Sequence, residues 1–330
     1  MRTITLEEHY ASPGYLDGPG KDLRDRVSGT GATGLLERLS DLDDARIAEM
    51  DAAGIDVQVL SLTAPGVEQL DPDEAVAFAR EANNVLVSAV RRHPTRFAGL
   101  AALPTPAPTD AAAELERTVR DLGFKGALIN GHSRGRYLDD PFFSPILERA
   151  EALQVPIYLH PTAPPAPVIA ASYAGFDPRL TYILANAGWG WHIETAVHVL
   201  RMVVGGVFDR YPRLQLVIGH LGEALPFMLP RIERNFSAGR PGSLHTDVAK
   251  LERPIGAYFR ENLHYTISGF NFLPPFLDLL LQVGVDRIMF SADYPYASMA
   301  EARAFLDAIP VSPADRERIA HRNAERLFGL

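Results

Sequence analysis

Thr5-Leu6-Glu7-Glu8-His9, at the end of the first strand-like run, is the stretch on which the fold turns. In a strand, alternate side chains share a face, so Glu7 and His9 point one way and Leu6 and Glu8 the other. A carboxylate and an imidazole side by side at a strand end are two good ligands for one divalent cation. A charge facing a barrel interior is costly unless something pairs with it. If this strand opens a barrel, the rest of the chain must supply either a metal or counter-charges.

Working outward, the remaining strands come at regular intervals. Residues 57–62, 97–103, 126–129, 155–160, 214–220, 264–268 and 287–293 read as strands, most of them followed by a helical pattern. The helix opened by Asp71-Pro72 carries Val76, Phe78, Ala79, Ala82, Val85, Leu86 and Val90 as a buried stripe. Continuous apolar strands are buried on both faces, as in parallel sheets. Eight such units predict an α/β fold, a single (β/α)8 barrel over residues 1–330. A doubly wound open sheet is the other candidate, but no Gly-rich phosphate fingerprint follows the first strand. Residues 10–40, rich in Gly, Asp and Arg, read as a long loop. Residues 161–190, rich in Pro, Ala and Gly, read as an insertion. Both are expected to face substrate. Ser40 is expected to cap a helix over about 41–53 that stops at Gly54.

The 330 residues are 47% hydrophobic and 22% charged, as in an ordinary globular protein. No apolar run is long enough for a membrane span, and the N-terminus enters a strand without a signal-peptide pattern. There is no cysteine, hence no disulfide framework, thiolate nucleophile or sulfur metal site, and the expected compartment is the cytoplasm. A net charge of −9 without a Lys or Arg cluster argues against a nucleic-acid partner. An acidic protein acting on an anion needs local positive charge, from a metal or a placed arginine.

In a barrel, chemistry belongs at the C-terminal ends of the strands. Four strands end there in candidate ligands: Glu7 and His9 on the first, His160 on the fifth, His220 on the sixth and Asp293 on the eighth. A lone histidine at a strand end is more often a hydrogen-bonded core or loop residue, but four strands in agreement point to a shared ion. Oxygen and imidazole donors without sulfur suit Zn²⁺ or Mn²⁺.

Leu6-Glu7-Glu8-His9, His160-Pro161, Gly219-His220-Leu221-Gly222-Glu223-Ala224-Leu225-Pro226 and Ser291-Ala292-Asp293-Tyr294-Pro295 resemble the amidohydrolase-2 branch of the amidohydrolase superfamily. Within it the chain is most similar to the metal-dependent, non-oxidative hydroxybenzoate decarboxylases, the γ-resorcylate and 2,3-dihydroxybenzoate group. Glu194 to His198, Phe208 to Pro212 and Leu229 to Glu233 extend the likeness, which is weakest in 10–40 and 161–190. The resemblance implies that Glu7, His9, His160 and Asp293 hold one divalent metal ion, zinc or manganese, and that His220, oriented by Glu223, faces the substrate. It implies a benzoate whose carboxylate and ortho-hydroxyl meet the metal, with Asp293 protonating the ring carbon or His220 relaying the proton. It also implies a homodimer or homotetramer, and an arginine at Arg231 that helps bind the carboxylate, in some members across a dimer interface.

Each pocket candidate has a plainer reading. Arg231 is equally a helix-surface arginine. Asn130, at the end of the fourth strand, could bond a ring hydroxyl or simply make a turn. Trp189, Trp191, Phe270 and Tyr296 could wall an aromatic ring, though buried aromatics are usually core. His192, His198 and His264 read as structural, and His93, His245 and His321 as surface. A metal-dependent hydrolase such as a lactonase, or a hydratase, would share the barrel and the metal. Such relatives usually carry His-x-His on the first strand, where this chain has Glu7-x-His9. Two-metal hydrolases tend to carry a bridging Lys on the fourth strand, which here ends in Asn130. A barrel that binds a ligand without turning it over is the third possibility; a full ligand set is costly to bury without a metal.

Overall fold

The structure, a computed structural model, describes residues 1–30, 32–236 and 251–330. His245 lies outside them. Among the described residues nine strands run in chain order: β1 Ile4–Tyr10, β2 Val57–Leu62, β3 Phe97–Gly99, β4 Ala101–Ala102, β5 Ala127–Asn130, β6 Ile157–His160, β7 Leu216–Ile218, β8 Leu263–Thr266 and β9 Ile288–Met289. All pairings are parallel, β1-β2-β3 in one sheet and β4 through β9 in order in the other.

The two sheets are one barrel of eight staves. β3 and β4 are a single stave that changes partner at Leu100: the Leu100 N–H donates to Leu60 O, and the next N–H, of Ala101, to Gly126 O. The other seam lies between β1 and the end of β9. It holds one isolated bridge, Leu6 to Ser291, with Leu6 N–H donating to Phe290 O at 3.3 Å and His9 N–H to Tyr294 O at 2.7 Å. The interior is filled by Ile4, Leu6, Val57, Val59, Leu100, Leu128, Tyr158, Val217 and Met289, with Ala324 and Phe328 of the last helix packed among them. A larger apolar layer lies between the staves and the surrounding helices.

Several boundaries differ from the sequence reading. Residues 10–40 are not an open loop but three short helices, Pro13–Asp17, Lys21–Thr30 and Thr33–Ser40. Ser12 caps the first, accepting from Tyr15 N–H at 3.1 Å, with Pro13 in its first turn and Tyr15 and Leu16 buried. Gly and Asp in the stretch masked that pattern. The 161–190 insertion likewise holds Ala166–Ser172 and Pro178–Ala185. Ser40 ends a helix instead of starting one. Asp41 serves the next, Asp44–Ala53, accepting from Asp43 and Arg46 N–H, and Gly54 ends it at φ 71°. The regular parts of the sixth and eighth staves are shorter than expected because the residues at their tips leave the β region. Among the described residues no helix is long and apolar enough to cross a membrane.

Candidate metal centre at the strand tips

β1 does not keep a simple alternation. Thr5 pairs with Gln58 and Glu8 with Leu60, so Leu6 and Glu7 together face Val59. This is a β-bulge, and Glu7 takes it up at φ 63°. Leu6 and Glu7 therefore both turn inward: Leu6 packs in the barrel interior, and Glu7 is bonded by the interior Tyr158. Glu8 faces the outer layer with Gln58. Glu7 and His9 do share a side, but Leu6 joins them where strict alternation would have sent it out.

Around Glu7 the barrel supplies hydroxyls. Tyr158 and Ser268 donate to Oε2, Thr266 lies 3.5 Å from it, and Ser268 also meets Ser291 at 3.2 Å. Gly219 makes room: a Cβ there would sit 2.5 Å from Oε2. The other oxygen, Oε1, is buried with no hydrogen-bond partner. It lies 3.3 Å from His160 Nε2 and 3.7 Å from His220 Nε2. Both nitrogens of His9 also lack a partner, and Nε2 lies 3.3 Å from Asp293 Oδ1. Glu7, His9 and His160 each present one donor atom within 4.8 Å of the others.

Orphaned buried donors are costly, and a cation removes that cost. Burial drives the His160 imidazole well below its usual range, with His9 and His220 adding to the effect, so it is a neutral lone-pair donor. Burial pushes the Glu7 carboxyl up against the pull of His220. One divalent ion held by Glu7, His9, His160 and Asp293 fits this donor set of hard oxygen and imidazole nitrogen.

A second cluster looks similar in composition but differs in kind. Glu223 Oε1 lies 2.7 Å from His220 Nδ1 and Oε2 lies 2.6 Å from His192 Nδ1. Trp191 Nε1–H donates to His192 Nε2 at 3.0 Å, which leaves the His192 proton on Nδ1. Every oxygen here is satisfied by an N–H, so the cluster is closed by protons and needs no ion. Burial would lower His220, but Glu223 and Glu7 outweigh it and hold the imidazole at about 10. Burial would raise Glu223, but its two imidazoles hold it low.

Glu7, His220, Glu223, Ser268 and Asp293 all sit at φ between 45° and 63°. A non-glycine residue there costs on the order of 1–2 kcal/mol, and such strain gathers at working sites.

The aromatic candidates surround this centre. Trp191 lies 6.2 Å from His160, Phe270 5.1 Å from His220, and Tyr296 5.5 Å from His9, ring to ring. The Tyr296 hydroxyl is held by Thr63 at 2.6 Å. Asn130 pairs beside His160 in the ladder; its backbone N–H goes to Glu68 at 2.7 Å, and its Oδ1 is buried and unbonded. Trp189 is exposed. Arg231 is not brought in: it is exposed on the helix Leu225–Phe236, without an ion pair among the described residues. His192, read as structural, bonds Glu223 directly. The hydroxyls were the larger omission, although a signal existed. Tyr158 and Ser291 stand two residues before His160 and Asp293, and Ser268 two after Thr266, a strand's repeat.

A family model described as amidohydrolase matches residues 32–330. A gamma-resorcylate decarboxylase of Rhizobium radiobacter is 40% identical over 335 residues, covering 99% of this chain and 98% of that protein. A crystal structure of 2,6-dihydroxybenzoate decarboxylase complexed with 2,6-dihydroxybenzoate matches with a TM-score of 0.89 at 38% identity, over 100% of both chains. A dihydroxybenzoic acid decarboxylase from Polaromonas sp., with bound manganese and the inhibitor 2-nitroresorcinol, matches with a TM-score of 0.88 at 39% identity, covering 100% of this chain and 97% of that one.

Proposed function

The chain belongs to the amidohydrolase family, and from that premise we propose a metal-dependent, non-oxidative decarboxylase of a hydroxylated aromatic carboxylic acid, a carbon–carbon lyase. The observation that carries this reading is the unbonded buried atoms of Glu7 and His9, with a His160 nitrogen within reach of both, faced by Asp293 and walled by aromatic rings. The relatives' hydroxybenzoate ligands support the substrate class, and the Polaromonas enzyme's manganese favours Mn²⁺ over Zn²⁺.

When bound, the cation would supply the positive charge that an acidic chain otherwise lacks, for the carboxylate and ortho-hydroxyl of a benzoate. Trp191, Phe270 and Tyr296 sandwich the ring, and Asn130 offers its free Oδ1 to a further ring hydroxyl. Asp293 delivers a proton to the ring carbon that bears the carboxylate. The bond to the carboxylate then breaks, its electron pair returns to the ring, CO₂ leaves and the phenol is restored. Glu223 accepts from His220 Nδ1–H, so that Nε2 faces the centre and can relay the proton.

Arg231 meets a substrate carboxylate only from a neighbouring subunit, and we assign it that role in a homodimer or homotetramer. Phe227, Met228 and Phe236 are exposed on the same helix, as a buried contact between copies would require. The 10–40 and 161–190 segments line the substrate side of a single barrel domain, and the enzyme works in the cytoplasm.

The test is to incubate manganese- or zinc-loaded protein with a panel of hydroxybenzoates and measure CO₂ and phenol. Chelation and Asp293→Asn are each expected to abolish release. Turnover that survives chelation would overturn the metal mechanism, and lactone hydrolysis without CO₂ would overturn the lyase.

A further inference from the structure

Glu8 lies between two proposed metal ligands yet faces away from them, and no step above uses it. Its carboxylate is fully buried. Oε1 accepts from Ala292 N–H at 2.9 Å, and Oε2 from Tyr294 N–H at 3.2 Å and from Gln58 Nε2 at 3.3 Å. The two backbone amides are those on either side of Asp293. Gln58 is in turn bonded by Arg46, whose Nη2 donates to His9 O at 2.8 Å and whose Nε donates to Asp41 O at 2.7 Å.

Asp293 stands at φ 62°. In a backbone with one residue in the left-handed region, the N–H groups on either side converge and form a concave seat for an anion. Here the seat is filled by the Glu8 side chain, whose oxygens accept from both amides and from Gln58. The two features depend on each other: the left-handed Asp293 aims both amides at Glu8, and Glu8 satisfies two amides that would otherwise be buried and unbonded. Without the carboxylate, Asp293 has a reason to relax to an ordinary backbone conformation, and its own carboxyl would swing with it. The contact also falls on the seam where β1 and β9 share a single bridge, so little regular pairing holds the Asp293 turn in its place.

We propose that Glu8 is a positioning residue for Asp293: its carboxylate clamps the backbone amides of Ala292 and Tyr294 and so fixes the direction from which Asp293 meets the substrate. This rests on the role given to Asp293 above. Three consecutive residues then divide the work, Glu7 and His9 toward the ion and Glu8 toward the turn that carries the acid.

The test is Glu8→Gln in the full-length, manganese-loaded protein. Gln keeps the size and one acceptor but turns a donor toward one of the two amides. A misplaced catalytic group costs up to about 10²-fold, so kcat is expected to fall about 10- to 100-fold. KM, measured at saturating manganese because Asp293 is also a proposed ligand, should stay within about threefold. Hydrogen exchange in a peptide spanning Ala292 to Tyr294 is expected to quicken, with the remaining barrel peptides unchanged. Glu8→Asp, which reaches only one amide, should fall between the two, and it decides the matter if the Gln variant does not fold. A kcat within about twofold of the parent at saturating manganese, or exchange in the Ala292 to Tyr294 peptide no faster than in the parent, would overturn the proposal. Parent Asp293→Asn distinguishes the two readings. If it retains turnover, the role of Asp293 fails; if it is inactive while Glu8→Gln retains kcat, only the clamp fails.

Discussion

The two oxygens of Glu7 have separate tasks. Oε2 is saturated by hydroxyls of Tyr158 and Ser268, and Oε1 is kept bare toward His160 and His220. A carboxylate anchored in this way can present only one oxygen to an ion. Tyr158→Phe removes one anchor without changing volume. Outer partners of metal ligands are worth about 10- to 100-fold in affinity, so manganese affinity should fall by roughly tenfold or more, read by titration against a chelating dye. At this scale the sequence was informative about donors and silent about what holds them. Glu, His and Asp at strand ends announce ligand chemistry by type alone. Whether a buried acid is bare or hydrogen-bonded depends on side chains brought from β6 and β8, which no local pattern records. The contrast between the two Glu/His clusters has the same origin: both have ligand-like composition, and only hydrogen-bond geometry separates an ion site from a proton-closed one.

At the scale of elements, the helices with uninterrupted apolar stripes were legible, Pro72–Arg92 above all. The short helices within 10–40 were not, because each has only a turn or two in which to show a period. The strand tips were misread for a physical reason. Period-two alternation assumes β dihedrals, and Glu7, Ser268 and Asp293 do not have them. The helix Leu225–Phe236 poses a different problem, since its outer face carries Phe227, 77% exposed, beside Arg231. In an assembly that covers this face, a charge at position 227 would be buried without a partner. Phe227→Asp is expected to shift sedimentation toward the monomer and to lower kcat/KM by at least about tenfold, since a lost interfacial anchor commonly costs 2 kcal/mol or more. Unchanged sedimentation would remove the assembly from the mechanism.

For the whole molecule, eight repeats of strand and helix were enough to name the barrel, because parallel staves buried on both faces have few other ways to pack. Part of its response to acid is set away from the centre. His198 is buried and accepts Leu138 N–H on Nε2 at 2.8 Å, and burial, with His132 and Arg201, holds it near 3. Burial beside Arg287 likewise holds His264 near 3. Both are neutral when folded and protonate near 6.5 when unfolded, so below that pH the unfolded chain binds more protons and stability falls as acid is added. The loss begins near pH 6.5 and grows toward pH 3, reaching roughly 2 kcal/mol for each at pH 5. Urea unfolding at pH 7 and pH 5, with chelator present so that metal release does not contribute, should show it. His198→Gln, which keeps an acceptor for Leu138, should shrink the difference by roughly 2 kcal/mol, the His198 share.

The seam between β1 and β9 has a consequence for how the protein is made. Glu7 and His9 leave the ribosome long before Asp293 and the turn it occupies. During synthesis the nascent barrel carries half of its ligands with nothing to close upon. If Asp293 completes the proposed ligand set, the site can form only after translation has passed that residue, and chains stopped before it should fail to retain manganese through gel filtration.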